Sequence, residues 1–90
     1  MADTIQGRVT NIVDGDTFDM RVTHHGKDNK IKYNPDERIR LAGVNAPEIN
    51  TPAGKIAKQK LADKISGQEV RCTIRARDTY QRLVADFEIL

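Results

Sequence analysis

Acidic and basic side chains gather at three points of this sequence where strand-like patterns break. The first is the stretch NIVDGDTFDM at residues 11–20, in which Asp14 and Asp16 stand on either side of a glycine. Carboxylates can ligate hard cations. An Asp-Gly pair is equally the ordinary composition of a hairpin turn, so this stretch alone predicts a turn with charge at its corner.

The second point follows a strand-like run and adds a guanidinium group. In the stretch RIRLAGVNAPE, Arg40 lies on the predicted strand, and Asn45 and Glu48 lie in the polar segment after it. Loops at strand ends can present reactive groups without burying them fully. Arg40 could also be a solvated strand residue paired with an acid, and Glu48 could simply begin a loop.

The third point is the stretch RDTYQR near the end of the chain, where Asp78, Tyr80 and Arg82 crowd a turn between two predicted strands. Guanidinium groups offer paired donors to phosphate oxygens and stay charged at neutral pH. Three separate turns therefore carry acids and arginines. They can form one functional site only if the fold brings them together.

The composition limits the classes of protein to which the chain can belong. The 90 residues are 38% hydrophobic, and 15 Lys and Arg against 13 Asp and Glu leave a net charge of +2, which by itself does not indicate a polyanion partner. The single Cys72 excludes a disulfide-stapled scaffold. No run approaches the roughly 20 apolar residues of a membrane span. We expect a soluble protein without a membrane partner, and secretion after removal of a signal peptide stays one reading of its localisation.

Period-two alternation and turn residues predict the elements that must position these groups. The predicted strands run through residues 5–13, 17–23, 38–44, 70–77 and 83–89. Thr51 and Pro52 predict the start of one helix and Gly67 its end. The connection between strands two and three is predicted to be long and exposed. Asp16 shares the parity of Phe18, which places its carboxylate, half buried, at the rim of the fold's interior.

This order of elements predicts a mainly β (α+β) fold: a five-stranded Greek-key barrel of the OB type, with one helix between strands three and four. It would also fit an α+β roll. No repeat, linker or change of composition divides the chain, so we expect residues 1–90 to form one domain.

The three stretches together strongly resemble the staphylococcal nuclease-like (thermonuclease) family. Its pattern is Asp-Gly-Asp-Thr, then Arg-Leu-x-x-(Val/Ile)-Asp-(Ala/Thr)-Pro-Glu, then a helix, then Asp-x-Tyr-Gly-Arg. The spacing matches over roughly residues 5–90. Each piece alone is weak, whereas the ordered set at these separations is specific.

The resemblance implies a calcium site and a phosphate site. Asp16 and Asn45 match calcium ligands of the family, and Asp14 matches a member of the surrounding carboxylate cluster. Calcium prefers several hard oxygen ligands, which carboxylates and amides provide.

The resemblance also assigns catalytic roles. Glu48 matches the glutamate proposed to activate the attacking water, which needs it within hydrogen-bond reach of that water. Arg40 and Arg82 match the arginines that clamp the phosphate and stabilise the charge of the transition state. Tyr80 matches a tyrosine near the phosphate of the bound nucleotide.

Three departures from the family pattern lead to expectations of their own. Asn45 replaces an aspartate, which predicts weaker calcium affinity. Gln81 replaces a glycine, which predicts a negative φ at that position and a shifted Arg82. The sequence ends at Leu90, so we expect a domain without the C-terminal helices of fuller family members.

Basic residues near these stretches predict an approach for a phosphodiester backbone. Arg71, Arg75 and Arg77 alternate along strand four, and lysines are frequent in the predicted helix. The same lysines would also be ordinary as the solvated face of a helix.

The function that these features favour is calcium-dependent hydrolysis of phosphodiester bonds in DNA, with RNA as an open second substrate, by a monomeric protein whose partner is nucleic acid. One alternative is a non-catalytic or weakly active OB module that binds nucleic acid or protein. Scarce aromatic residues count against single-strand binding by stacking. Another alternative is a partner-docking domain with a vestigial site.

Overall fold

The computed structural model describes residues 2–90, in which five strands and one helix follow one another in the predicted order. They are β1 (Thr4–Asp14), β2 (Thr17–His25), β3 (Asp36–Leu41), α1 (Pro52–Ile65), β4 (Glu69–Arg77) and β5 (Leu83–Ile89). The mainly β fold with one helix between the third and fourth strands is therefore confirmed.

The five strands close into a barrel in the order β1-β2-β3-β5-β4, and β4 pairs with β1 to complete the ring. All neighbouring pairs are antiparallel except β3 and β5, which are parallel. A closed barrel leaves no strand edge unpaired along the ring. The predicted OB-type barrel is confirmed, and the α+β roll is not formed.

Alternate residues of the strands fill the interior of the barrel, as their period of two predicts. The fully buried side chains include Ile5, Phe18, Met20, Ile39, Ile65, Val70, Cys72, Leu83 and Ala85. Gly7 is required by packing, because a Cβ there would lie 1.9 Å from the carbonyl oxygen of Arg21 on β2. Burial raises the pKa of the Cys72 thiol to about 12, as expected of a core cysteine.

Strand β3 is shorter than predicted. It ends at Leu41, whereas the alternation predicted a strand through Val44. Gly43 adopts a φ of +74°, in the left-handed region that glycine tolerates, and this turns the chain out of the sheet. The residues that follow therefore form a loop rather than a strand end, and that loop carries Asn45.

The connection between β2 and β3 is long and mostly exposed, as predicted, but it is attached to the barrel. Tyr33 is buried within it, and its hydroxyl donates a 2.7 Å hydrogen bond to the carboxylate of Asp3. That carboxylate also accepts the backbone N–H groups of Lys30 and Ile31, at 3.0 and 3.3 Å. These contacts attach the loop to the start of β1, so the polar sequence does not make a free loop.

Helix α1 begins and ends where its capping residues predict. The Thr51 hydroxyl accepts the backbone N–H of Gly54 at 3.0 Å, and Pro52 occupies the first turn. Leu61 and Ile65 are buried against the barrel. Gly67, with a φ of +71°, lies just beyond the helix end. Among residues 2–90, no helix has the length and apolar content needed to cross a membrane.

Candidate active site

The turn between β1 and β2 consists of Gly15 and Asp16, flanked by the paired residues Asp14 and Thr17. The Asp14 carboxylate accepts the backbone N–H of Asp16 at 3.0 Å, which is the hydrogen bond of an Asx turn. Gly15 is required by close packing, since a Cβ there would lie 2.6 Å from the Cβ of Ala57 on α1. The turn is therefore pressed against the helix.

The Asp16 carboxylate lies at the barrel rim, and both of its oxygens accept hydrogen bonds. The residue is 9% exposed, which makes it more buried than the half-buried rim position predicted from parity. One oxygen accepts the Thr17 hydroxyl at 2.9 Å, and the other accepts the backbone N–H of Ala46 at 3.0 Å. The Ala46 bond joins the turn to the loop after β3.

Asp14 and Asp16 influence each other's ionisation. Burial and the neighbouring Asp16 carboxyl raise the pKa of Asp14 above its ordinary value. Burial also opposes ionisation of Asp16, but its interaction with Asp14, the Ala46 N–H, the Thr17 hydroxyl and the Arg40 charge outweigh burial and lower the pKa of Asp16. Asp16 is therefore the carboxylate of the pair that ionises first.

Arg40 connects the end of β3 to the loop that follows. One terminal nitrogen donates to the carbonyl oxygens of Leu41, at 2.6 Å, and Val44. The other donates to the side-chain oxygen of Asn45 at 2.9 Å and lies 3.5 Å from the Asp16 carboxylate. Its side chain is 20% exposed, so this network is only partly accessible to solvent.

These contacts bring four of the residues predicted from sequence into one group, which we call the Asp16 cluster: Asp14, Asp16, Arg40 and Asn45. Its carboxylate and amide oxygens are the hard donors that calcium prefers. Within residues 2–90, no three His, Cys, Asp or Glu side chains form a group that could hold a metal ion. The chain therefore offers two carboxylates and one amide, with Arg40 already placed between Asp16 and Asn45.

Glu48 is held at its backbone, and its side chain is exposed. Its carbonyl oxygen accepts the hydroxyl of Thr51 at 2.7 Å and the backbone N–H of Thr51 at 3.0 Å. Gly54 packs so closely that a Cβ there would lie 1.8 Å from the same oxygen. The carboxylate makes no hydrogen bond or ion pair among residues 2–90, so the backbone of Glu48 is held in place while its carboxylate is uncommitted.

Asp78 organises the turn between β4 and β5. Its carboxylate accepts the backbone N–H groups of Tyr80 and Arg82, each at 2.9 Å, and the side-chain Nε of Arg82 at 2.7 Å. Burial opposes ionisation, but these hydrogen bonds outweigh it and lower the pKa of Asp78. The Arg82 guanidinium lies 5.1 Å from the centre of the Tyr80 ring, a cation–π distance, and Tyr80 itself is 77% exposed.

Gln81 has a φ of +67°, so the prediction of a negative φ at this position is wrong. Two hydrogen bonds hold the backbone there: Gln81 donates its N–H to the carbonyl of Asp78 at 3.1 Å, and its own carbonyl accepts Arg77 at 2.9 Å. The turn therefore keeps a left-handed residue although the glycine is replaced.

The left-handed conformation at Gln81 leads to a prediction about stability. A residue with a side chain pays about 1–2 kcal/mol to adopt this left-handed conformation, and glycine avoids that cost. Glycine also makes the unfolded chain more flexible, which reduces the net gain in stability. We expect Gln81→Gly to raise the free energy of unfolding by about 0.5–1 kcal/mol, measured by urea denaturation. Thr79→Gly, in the same turn without a positive φ, should lower it; equal effects of the two substitutions would contradict this account.

The two arginines predicted to bind phosphate lie on β3 and in the turn directly before β5, the strand that pairs with β3. Arg40 on β3 pairs with Val84 on β5, and Arg82 precedes Val84 by two residues. No contact joins Arg82, Tyr80 or Glu48 to the Asp16 cluster among the hydrogen bonds and ion pairs of residues 2–90.

The basic approach predicted along β4 is largely neutralised. Arg71 pairs with Glu88 at 2.8 Å, Arg75 pairs with Asp86 at 2.9 Å, and Arg77 pairs with the buried Glu37 at 3.1 Å. These ion pairs join β4 to other strands. The three arginines therefore link strands of the sheet and do not form an open basic face.

Sequence reasoning named Asp78 without giving it a role, and it missed the backbone N–H of Ala46. Asp78 holds Arg82, and the backbone N–H of Ala46 supports Asp16. The Asp78 contact could have been found, because an aspartate that precedes a turn commonly accepts the backbone N–H two residues later. The Ala46 contact spans 30 residues and has no local signal.

Comparison with known proteins identifies the family of the chain. Residues 38–89 match the family described as Staphylococcal nuclease homologue. The micrococcal nuclease of Shigella flexneri is 38% identical over 77 residues, which are 86% of this chain and 38% of that protein. The uncharacterized endonuclease of Haemophilus influenzae is 33% identical over 78 residues, which are 87% of this chain and 39% of that protein.

A more distant similarity is found in a fungus. The probable endonuclease LCL3 of Arthroderma otae is 31% identical over 100 aligned residues, which cover 91% of this chain and 36% of that protein. The chain thus spans about two fifths of the length of these relatives. The family match covers more than half of the chain and includes most of β3 and all of α1, β4 and β5. The chain therefore belongs to the staphylococcal nuclease homologue family.

Proposed function

We propose that this chain is a calcium-dependent phosphodiesterase that hydrolyses DNA, with RNA as a second substrate. The observation that carries the proposal is the Asp16 cluster, in which an ionised carboxylate, a second carboxyl group and an amide oxygen converge beside an arginine at the barrel rim. Its relatives include proteins named as nucleases and endonucleases.

Calcium is the cofactor of this proposal, held by Asp16, Asn45 and Asp14. When bound, it would supply positive charge that offsets the charge developing on the phosphate. The lowered pKa of Asp16 keeps this ligand ionised at neutral pH, which hard-cation binding requires. Asn45 contributes an oxygen without a charge, so the affinity should be weaker than at a site with an aspartate there.

The phosphate in this proposal lies between Arg40 and Arg82. Two guanidinium groups can donate to different oxygens of one phosphate and stabilise the extra charge of the transition state. Arg82 is oriented by Asp78, and its guanidinium lies 5.1 Å from the centre of the Tyr80 ring. Tyr80 is then a substrate-binding residue at the edge of the site.

Glu48 is the general base of this proposal. Its carboxylate is exposed, makes no contact within residues 2–90, and lies two residues after Ala46, whose N–H contacts Asp16. A carboxylate placed in this way can orient a water molecule and accept its proton during attack on phosphorus.

Removing calcium tests the proposal directly. We expect the chain to release acid-soluble nucleotides from single-stranded DNA in the presence of calcium, and the release to fall at least about 100-fold in a chelator. Adding excess calcium after the chelator should restore the activity, which controls for damage to the protein. Release that is equal with calcium and with chelator would contradict the calcium site.

One observation favours the alternative of a binding module that does not catalyse. The terminal nitrogens of Arg40 donate hydrogen bonds to Leu41, Val44 and Asn45. In this arrangement they are not free to bind phosphate. Nucleic-acid binding that ignores calcium and survives Glu48→Gln, together with the absence of any hydrolysis, would decide in favour of this alternative.

A further inference from the structure

Glu37 is a charged residue at an interior position of β3. It alternates with Ile39 and Leu41, whose side chains fill the barrel, and it is itself only 5% exposed. A buried carboxylate is unfavourable unless it is paired and hydrogen-bonded. Arg77 donates to both of its oxygens, each at 3.1 Å, and Oε2 also accepts the backbone N–H of Asn34 at 2.9 Å. The Glu37 carboxylate is therefore fully supplied with donors by the protein.

The ion pair of Glu37 and Arg77 joins two strands at a point where the strand between them has not yet begun. These residues belong to β3 and β4, which are separated by β5 in the barrel. Leu83, the first residue of β5, pairs with Ile39 on one side and with Arg77 on the other. Glu37 precedes Ile39 by two residues, so β5 does not come between the paired charges. The chain enters β5 at this same point, through the turn of residues 78–82.

Arg77 also holds that turn. The terminal nitrogen that donates to Oε1 of Glu37 donates to the carbonyl oxygen of Gln81 at 2.9 Å. The N–H of the same peptide group belongs to Arg82 and donates to the Asp78 carboxylate at 2.9 Å. The peptide group between Gln81 and Arg82 is therefore held at both of its polar atoms, from β4 at one and from within the turn at the other.

This peptide group determines where the Arg82 side chain begins. The Cα atom of Arg82 is bonded to it directly, and the positive φ of Gln81 gives it an orientation that a residue with a side chain disfavours. A shift of the peptide group would be passed on to the guanidinium. Misplacement of a reacting or stabilising group by about 1 Å can lower a rate by about 100-fold.

We propose that Glu37 and Arg77 are positioning residues for the phosphate-binding Arg82. Glu37 orients Arg77, and Arg77 holds the carbonyl of Gln81 and with it the direction from which Arg82 meets the phosphate. This inference rests on the proposed function and deepens it, because it extends the phosphate site to a buried ion pair that does not touch the substrate.

The contacts of Arg77 favour positioning over direct binding of the phosphate. Both of its terminal nitrogens already donate to Glu37, and one of them also donates to Gln81. Net stability is not a sufficient reason for the ion pair either, since the cost of taking two charges out of water offsets much of their attraction. Positioning of the turn accounts for both the burial of the pair and its bond to Gln81.

A charge-neutral double variant, which we call the pair variant, tests the proposal. Glu37→Gln/Arg77→Met removes both charges and the hydrogen bond to Gln81. The amide oxygen introduced at position 37 can still accept the N–H of Asn34. Replacing both partners of a buried ion pair disturbs a fold much less than removing one of them.

Two controls separate positioning from loss of charge and from loss of stability. Arg75→Met/Asp86→Asn removes another ion pair of β4 that is bonded at two points, at 2.9 and 3.1 Å, and neither member is bonded to the turn. Ile5→Val weakens the packing of the core at the start of β1. Urea denaturation compares the stabilities of all three variants with that of the unmodified chain.

The exchange of the Arg82 amide hydrogen shows whether the turn is held. Its rate is measured by NMR relative to that of Val9, a buried residue whose N–H donates to the carbonyl of Gln68 at 2.9 Å. We expect this ratio to rise at least about tenfold in the pair variant, because local opening no longer breaks the bond to Arg77. It should not rise in either control. An unchanged ratio in the pair variant would overturn the inference, whether or not the chain hydrolyses DNA.

Kinetics show whether holding the turn matters for Arg82. In the pair variant, kcat on single-stranded DNA with saturating calcium should fall at least about tenfold while KM stays within about twofold, as expected when an interaction of the transition state is lost. Both controls should keep the kcat of the unmodified chain. On an Arg82→Ala background the same double substitution should change kcat by less than about twofold, because no guanidinium remains to be positioned. An equal fall on both backgrounds would overturn the inference.

The two measurements distinguish this inference from the proposed function. A raised exchange ratio in the pair variant, with no hydrolysis by any form of the chain, would support the hold of Glu37 and Arg77 on Arg82 and contradict the catalytic proposal. A raised ratio with an unchanged kcat in an active chain would overturn the inference and leave the proposed function standing.

Discussion

Glu48→Gln is expected to reduce the rate of phosphodiester hydrolysis by about 100-fold or more while leaving the fold intact. Glutamine has nearly the size of glutamate but cannot accept a proton from water. The contacts that fix this residue are made by its backbone carbonyl with Thr51, and the substitution leaves them unchanged. The measurement is kcat on single-stranded DNA with saturating calcium.

Glu88→Gln serves as the matched control for this substitution. Glu88 is also an exposed glutamate, and it forms an ion pair with Arg71 on the neighbouring strand. Its activity should stay within about twofold of the unmodified chain, since an exposed ion pair contributes little to stability. A Glu48→Gln variant with activity as high as that of this control would remove Glu48 from the mechanism.

Arg82→Ala is the second substitution with a large expected effect, a fall in kcat/KM of about 100- to 1000-fold. The guanidinium would no longer be present to stabilise charge on the phosphate. The turn should survive, because the Asp78 carboxylate still accepts the backbone N–H groups of Tyr80 and residue 82. Arg82→Lys should recover only part of the activity, since an ammonium group lacks the paired donors of a guanidinium.

The control for Arg82 is Arg75→Ala, which removes an arginine that is likewise bonded to an aspartate through its Nε. This arginine lies on β4, and nothing in the proposed mechanism uses it. We expect its kcat/KM to match that of the unmodified chain. If the two alanine variants lose activity to the same extent, the loss comes from charge or stability rather than from a phosphate contact.

The parts of the fold that depend on local patterns could be predicted from the sequence. Alternation located all five strands, and Thr51, Pro52 and Gly67 located the helix, because capping and side-chain period act over a few residues. The strand order of the barrel was predicted because the order of strands and helix along the chain is that of the OB architecture. The end of β3 was missed because Gly43 reads as part of the strand until its positive φ is known.

The arrangement of the candidate site depends on contacts that are remote in sequence. Asp16 and Ala46 are 30 residues apart, and the pairing of Arg77 with Glu37 spans 40 residues. Neither distance leaves a local signal, so the sequence could suggest the members of the site but not their partners. Gln81 illustrates the same limit, since hydrogen bonds from its surroundings hold a conformation that its residue type disfavours.

The several contacts of Arg40 affect how variation among related chains should be interpreted. Because Arg40 binds the carbonyls of Leu41 and Val44 and the side chain of Asn45, natural selection for folding alone is enough to retain it. Its retention in a descendant that has lost catalysis would therefore be unsurprising. The Glu48 carboxylate makes no such structural contact among residues 2–90, so Glu48 should be replaced first when selection for hydrolysis is lost. Its presence in a lineage is therefore the better sign that hydrolysis is still under selection.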